Sequence, residues 1–418
     1  MPSNVVAVLH DVVMIPHGIP DIGWSDLCYG LVGCLRPGNP TQLQKQIEQR
    51  WSSDGNNLAC LSVRSGFDLF LKAIDLPGGS EVIVSAITIP PMVQILEHHG
   101  LIPVPVDVDI DTLSVDPTEL ELLIGPRTRA ILVAHLFGSR MDLKPIAAIA
   151  QRHGLLLMKD CAQAYAGSEY LGHSTSDVVM FSFGPIKTQT ALGGAVLHFR
   201  DPTLLSRMRQ LHATYPCQPK CPFWHRVVLF MLLRLLTRPP ILQLFARVCR
   251  WRGIDYDQLL SQNLRSFSGG NLIEHIRHQP CVPLLRLLAR RLRNKQASGI
   301  KQRMALVQRL TPYLSAHYCP GLQALCHTHW VIPILTTQPE QIARRLQQEG
   351  FDATRSASSL AVVSPPAELF TAIPHQAADL MEHVMYVPVY SAMTDADIQR
   401  LVHVIDDVEK QYDLIGLM

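Results

Sequence analysis

The sequence predicts an α/β protein, with a mostly parallel, doubly wound sheet in a large domain and a smaller α+β domain at the C-terminus. Short apolar runs recur at Glu81 to Ser85, Pro103 to Val108, Ala130 to His135, Leu155 to Lys159, Val178 to Phe183 and Ala195 to Phe199, with helical patterns among them. Such runs belong to strands buried on both faces, and their alternation with helices is the mark of a doubly wound sheet. The chain has 418 residues, 47% hydrophobic and 17% charged. That is more than one typical core and excludes a disordered protein.

Residues 1–61 form an N-terminal segment punctuated by Pro2, Pro16, Pro20, Pro37 and Pro40. One helix is predicted there, from about Thr41 to Ser52, opened by Asn39-Pro40-Thr41. MPSNVVAVLHDVV has no basic stretch and no long apolar core, so no signal peptide is expected. The large domain spans 62–206 and opens with a helix at Gly66 to Ile74. Residues 207–303 form a basic, apolar helical insertion and connection, and a helical pattern from Leu284 to Leu310 leads onward. The small domain, 304–418, contains Trp330 to Leu335, a helix at Pro339 to Glu349, Gly350 to Arg355, and a last helix at Thr394 to Tyr412. Thr394-Asp395-Ala396-Asp397 puts acids in its first turn, where they favour the helix dipole.

The ten cysteines include no CxxC pair, and Cys217 and Cys221 alone are close together. This argues for reduced thiols in a cytoplasmic protein and against a disulfide scaffold or a metal site.

The chemistry concentrates between Leu155 and Ala195. One apolar run ends in Lys159-Asp160, and another ends in Gly184-Pro185 shortly before Lys187. Open α/β sheets place ligands at the carboxyl ends of their strands. An acid at one strand end and a lysine just past another suit pyridoxal 5'-phosphate (PLP). The acid keeps the pyridine nitrogen protonated, so that the ring acts as an electron sink, and the amine holds the aldehyde as a Schiff base. Gln163, one turn on, is placed to bond the ring hydroxyl, and Ser182 to reach the phosphate. Taken alone, a strand-end Asp is more often a helix cap, and a loop lysine is usually just solvated. It is the pair, in this order, that points to the cofactor.

Asp160-Cys161-Ala162-Gln163, Phe181-Ser182-Phe183 and Lys187 before Gly193-Gly194 resemble the DegT/DnrJ/EryC1/StrS family of PLP-dependent sugar aminotransferases, whose fold is the aspartate aminotransferase-like type I. Glu81 to Ser85 with Thr88, Pro103 to Asp109 and Arg127 to Gly138 continue the likeness, which covers roughly Ser62 to Arg209, with an echo at Tyr386 to Tyr390. The resemblance implies transfer of an amino group from an amino acid, expected to be glutamate, to a keto sugar on a nucleotide, by a cytoplasmic homodimer. It gives Lys187 the catalytic role, with Asp160, Gln163 and Ser182 at the cofactor. The helix start at Ser65-Gly66-Phe67 would lie at the phosphate and Ile89 against the ring. The chain departs from the family at Phe67, where a small hydroxyl residue is usual, and at Ile89, where an aromatic is usual. It also has Ala191-Leu192 where an acid usually precedes the paired glycines. Asn263 is the candidate for a residue reaching across the dimer. Three other readings stay open: a sugar dehydratase, which would lack the Schiff-base lysine, a non-catalytic or regulatory binding module on the same fold, and an aminotransferase acting on a lipid-linked or non-sugar carbonyl substrate.

Residues 207–303 carry eighteen Lys or Arg against three acids, a surplus of fifteen, which leaves the rest of the chain at −13 beneath an overall +2. Phe223-Trp224, Val227 to Leu233 and Trp251 are interleaved, with a break at Pro239-Pro240. The longest apolar run falls far short of the roughly 20 residues that span a bilayer. The segment is therefore either a helical elaboration packed on the sheet or a peripheral contact with an anionic membrane. No nucleic-acid-binding motif or aromatic platform accompanies the charge.

Overall fold

The structure, a computed structural model, describes residue 15 and residues 20–172, 175–236, 271–293, 298–314, 319–355, 359–367, 373–388 and 392–416, with single positions at 238, 241, 244, 248, 252 and 390. Pro239, Pro240, Trp251 and Asn263 lie outside the described residues.

The chain enters through α1 (Trp24–Leu35) and α2 (Pro40–Trp51). It then runs β1 (Asn57–Cys60), α3 (Val63–Ile74), β2 (Glu81–Ser85), β3 (Ile87–Thr88), α4 (Pro90–His98), β4 (Ile102–Val106), α5 (Pro117–Leu122) and β5 (Thr128–Ala134). Next come β6 (Ser139–Arg140), α6 (Lys144–His153), β7 (Leu156–Asp160), β8 (Val178–Ser182) and β9 (Ala195–Phe199). The connection comprises α7 (Pro202–Ala213), α8 (Lys220–Leu236), α9 (Leu272–Ile276), α10 (Val282–Arg291) and α11 (Ser298–Leu310). The C-terminal part contains β10 (Cys326–His327), β11 (Ile332–Leu335), α12 (Pro339–Gln348), β12 (Ala361–Val362), α13 (His375–His383), β13 (Val384–Val387) and α14 (Asp395–Gly416).

Seven strands form one sheet in the order β1-β9-β8-β7-β5-β2-β4. The run from β8 to β4 is parallel. Strand β9 returns antiparallel to β8, and β1 pairs antiparallel with β9. Side chains alternate along the strands, and both faces are apolar. Val84, Leu132, Met158, Met180 and Leu197 share one core with α3 and α7 residues, whereas Ile83, Val106, Ile131, Val133 and Leu157 fill another. The C-terminal part keeps its own core, which includes Ile334, Leu346, Phe351, Met385 and Ile405.

The six strands predicted for the large domain are present, Glu81–Ser85 and Ala195–Phe199 with the predicted ends and the others with ends shifted by one or two residues. The Leu284 to Leu310 pattern divides into α10 and α11. Asn39 caps α2 by accepting from the Gln42 amide at 3.2 Å, and Thr394 caps α14 by accepting from the Asp397 amide at 3.2 Å.

Helices α7, α8, α9 and α10 of the connection pack on the sheet and on the N-terminal helices. Phe223, Val227, Phe230 and Leu233 of α8 are buried with Leu27 of α1, Leu284 and Leu288 of α10, and Phe181 and Val196 of the sheet. Phe223 is fully buried, so it belongs to this core and not to a surface. Four of the basic residues meet acids from the N-terminal third of the chain. Arg209 pairs with Glu48 at 2.8 Å, Arg277 with Asp68 at 2.9 Å, and Arg290 and Arg291 with Asp26 at 2.6 and 2.8 Å. Arg234 and Arg286 donate to the carbonyls of Ile22 and Arg36.

Candidate active site

Asp160 is the last residue of β7, with Ala134 and Met180 beside it on the neighbouring strands. Its Oδ1 accepts the Ala162 amide at 2.8 Å, which fixes the carboxylate at the strand end. Burial pushes its pKa up from the ordinary value, against the opposing pull of that amide and of Lys187. Lys187 follows β8 in a tight turn, its amide donating to the Gly184 carbonyl at 3.0 Å. Burial lowers its pKa to about 8, with the Asp160 charge opposing and the Arg64 charge assisting. The two groups therefore sense each other in a site from which water is withdrawn, where charge interactions are stronger.

Trp330 closes over the amine. Its ring centroid lies 4.1 Å from Nζ of Lys187, and its Nε1 donates to the Ile186 carbonyl at 3.0 Å. His329, immediately before it, takes a left-handed φ of 48° and stacks on His327 with ring centroids 4.0 Å apart. Burial holds both imidazoles neutral, His327 down to about 3 and His329 to about 4. Thr188, next to Lys187, accepts from Arg303 Nη2 at 3.0 Å.

The other sequence-predicted residues divide into two groups. Gln163 is buried, and its Oε1 accepts the Phe137 amide at 2.7 Å, which leaves the amide nitrogen as its free donor end. Ser182 ends β8, and its Oγ accepts the Gly184 amide at 3.3 Å. These two lie with Asp160 and Lys187 at the carboxyl edge of the sheet. At the start of α3 the donors are more committed than the sequence suggests. The Ser65 amide bonds the capping Ser62 Oγ at 3.1 Å, and the Gly66 amide bonds the Ser62 carbonyl at 3.0 Å. A Cβ at Gly66 would sit 2.5 Å from Leu197 Cδ1, so this glycine is required by the contact of α3 with β9. Phe67 is fully buried in the apolar core, so its side chain does not line the site. Ile89 precedes α4 and packs partly buried against the same core.

Sequence reasoning did not single out Arg64, Arg303 or Trp330 as site residues. Arg64 is adjacent to Ser65-Gly66 in the helix start already picked out, so only its charge was overlooked. The other two come from sequence more than a hundred residues downstream and carry no local pattern. A second buried lysine, Lys159, is 1% exposed and interacts with the Tyr170 hydroxyl, which His135 Nε2 also meets at 3.0 Å. Strand alternation directs it to the face of the sheet opposite that of Asp160.

An acid and an amine, both partly buried, act on each other's charge at the carboxyl edge of this sheet, in a fold shared with solved sugar aminotransferases. Residues 42–231 match the model of the DegT/DnrJ/EryC1/StrS aminotransferase family. Over 172 residues the chain is 39% identical to the erythromycin biosynthesis sensory transduction protein EryC1 of Saccharopolyspora erythraea, covering 40% of this chain and 47% of that protein. It is 35% identical over 176 residues to the GDP-perosamine synthase of Caulobacter vibrioides, 41% of this chain and 47% of that one. The chain thus spans about half the length of these relatives. Among solved structures, the E. coli GDP-4-keto-6-deoxy-D-mannose-3-dehydratase with bound hydrated PLP shares the fold, with a TM-score of 0.65 at 15% identity over 94% of this chain and 99% of that one. No helix among the described residues is long and apolar enough to cross a membrane, and no group of three or more His, Cys, Asp or Glu among them is arranged to hold a metal.

Proposed function

We propose that this protein is a PLP-dependent aminotransferase, moving an amino group from an amino acid, with glutamate the expected donor, to a keto sugar carried on a nucleotide. The observation that carries this reading is the pair Asp160 and Lys187, partly buried at and just past neighbouring strand ends, each shifting the other's pKa. The residues fit the cofactor: a carboxylate for the ring nitrogen, an amine of lowered pKa for the aldehyde, an amide at Gln163 for the ring hydroxyl and a hydroxyl at Ser182 for the phosphate. PLP supplies an electron sink for the pair of electrons left when a proton leaves Cα of the donor.

The protein's own groups do the rest. Asp160 keeps the proton on the pyridine nitrogen by staying ionised beside it. Nζ of Lys187, with its pKa near neutrality, takes the proton from Cα and returns it, which a lysine at its ordinary pKa would do poorly. Trp330 excludes water above that nitrogen. A lysine in this position disfavours the dehydratase alternative. The test is amino transfer from glutamate to nucleotide-linked keto sugars by wild-type and Lys187→Ala protein. Turnover lost in the variant supports the reading, and equal turnover in both rejects it.

The resemblance also supports a homodimer, which sedimentation would reject by finding a fully active species of 46.6 kDa. A peripheral membrane contact is supported by one observation on α8, whose outward stripe is apolar: Trp224, Leu232 and Leu235 are 41, 59 and 40% exposed. Arg238 and Arg252 nearby are exposed, so anionic lipid is the complementary partner, and a like-charged second copy is not. Salt-sensitive co-sedimentation with anionic vesicles, lost on changing Trp224 and Leu232 to Ser, is expected. Unchanged binding by that variant rejects the assignment.

A further inference from the structure

Arg303 differs from the other arginines of the connection. Arg209, Arg277, Arg290 and Arg291 pair with acids, and Arg226, Arg234 and Arg286 donate to carbonyls, whereas Arg303 reaches toward the Lys187 loop from α11 and donates from Nη2 to Thr188 Oγ1 at 3.0 Å. Its Nε is buried and meets no acceptor among the described residues. Among the same residues no carboxylate pairs with it. The acid that acts on it electrostatically, Asp21, is engaged elsewhere, accepting the Gln189 amide at 2.7 Å and pairing with Arg291 at 3.1 Å. The neighbouring His329 is held neutral, by burial first and by the Arg303 charge second.

A guanidinium withdrawn from water with an unfilled N–H is costly unless an anion completes it. Nε and Nη2 lie on one edge of the planar group, and two parallel N–H donors on one edge match the two oxygens of a carboxylate. The Thr188 hydroxyl, accepting from Nη2, keeps its own proton to donate to the same anion. Since Thr188 follows Lys187 directly, a carboxylate held there stands next to the reactive amine, under the Trp330 lid.

We propose that Arg303, together with Thr188, receives a carboxylate of the amino-acid donor at the mouth of the Lys187 site. This rests on the aminotransferase reading, and it names the group that selects an amino acid over a neutral amine. Binding without chemistry tests it apart from turnover, by calorimetry with glutarate and with its neutral diamide. Wild-type protein is expected to bind glutarate and not the diamide, Arg303→Gln to weaken glutarate at least tenfold, and Arg303→Lys to recover part of the loss. In turnover, Arg303→Gln should raise KM for glutamate at least tenfold and leave KM for the sugar unchanged. Equal glutarate binding by wild type and Arg303→Gln, or binding of the diamide as tightly as glutarate, overturns the proposal. Glutarate binding that depends on Arg303, without any amino transfer, keeps the carboxylate site and rejects the aminotransferase.

Discussion

The indole of Trp330 lies 4.1 Å from Nζ of Lys187 and is pinned there by a hydrogen bond to the Ile186 carbonyl. The contact joins the C-terminal half of the chain to the reactive loop of the large domain. It favours the ammonium form through the ring face, while burial favours the amine, and burial is the larger effect because the net pKa falls to about 8. Trp330→Ala should admit water and raise the Lys187 pKa toward its ordinary value. The reaction of the amine with PLP, followed by absorbance across pH, should then reach its plateau at higher pH than in wild type.

The same measurement on Asp160→Asn has the opposite sign. An aldehyde reacts with the free amine, so the rate should rise about tenfold per pH unit below the lysine pKa and level off above it. Asp160 is the charge that raises the Lys187 pKa, so its removal should move the plateau below about pH 8. A plateau that stays in place shows that the two groups do not interact.

How much of this was legible in the sequence depends on how local each signal is. The strand-end positions of Asp160, Ser182 and Lys187 were legible because each ends or follows a strand whose run of Val, Leu, Met and Phe is unambiguous. β1 was missed, because a four-residue strand, Asn57–Cys60, carries too little pattern. α1 was missed amid prolines and glycines. Gly30 of that helix is where a Cβ would meet Leu287 and Val227 at 3.4 Å, so the glycine that weakens its helical signal also permits its packing. The surplus charge of 207–303 was read correctly as a quantity. The acids that Arg209, Arg277, Arg290 and Arg291 meet, Glu48, Asp68, Asp26 and Asp21, lie at least 150 residues away in sequence, so no local window could reveal these pairs.

Gly66→Ala probes the contact of α3 with β9. With Leu197 Cδ1 2.5 Å from the new Cβ, repacking should cost about 1–3 kcal/mol. Urea unfolding of the variant should show this loss, and in combination with Leu197→Ala the total loss should be less than the sum of the two separate losses.

Asp68 is fully buried and bonds both Arg277 and His99 at 2.9 Å. Asp68→Ala leaves the Arg277 cation without its counter-charge, and the expected loss is about 3–5 kcal/mol. A denaturation midpoint unchanged from wild type contradicts this.

His212 of α7 is 5% exposed, and burial lowers its pKa to about 4. A histidine whose folded pKa lies below the unfolded value contributes its full stability above about pH 6.5. As pH falls from there toward about 4, stability is lost at about 1.4 kcal/mol per unit, because the unfolded chain binds the proton first. In His212→Gln that part of the acid slope should disappear, as read from unfolding at pH 5 and pH 7.

Two lysines near this edge of the sheet have lowered pKa, Lys159 and Lys187, and the catalytic assignment depends on which one meets the cofactor. Incubation with PLP, reduction with borohydride and peptide mapping by mass spectrometry decides it directly. The pyridoxyl group is predicted on Lys187, with Lys159 unmodified. Modification at Lys159, or at neither residue, contradicts the assignment of Asp160 and Lys187 as the catalytic pair.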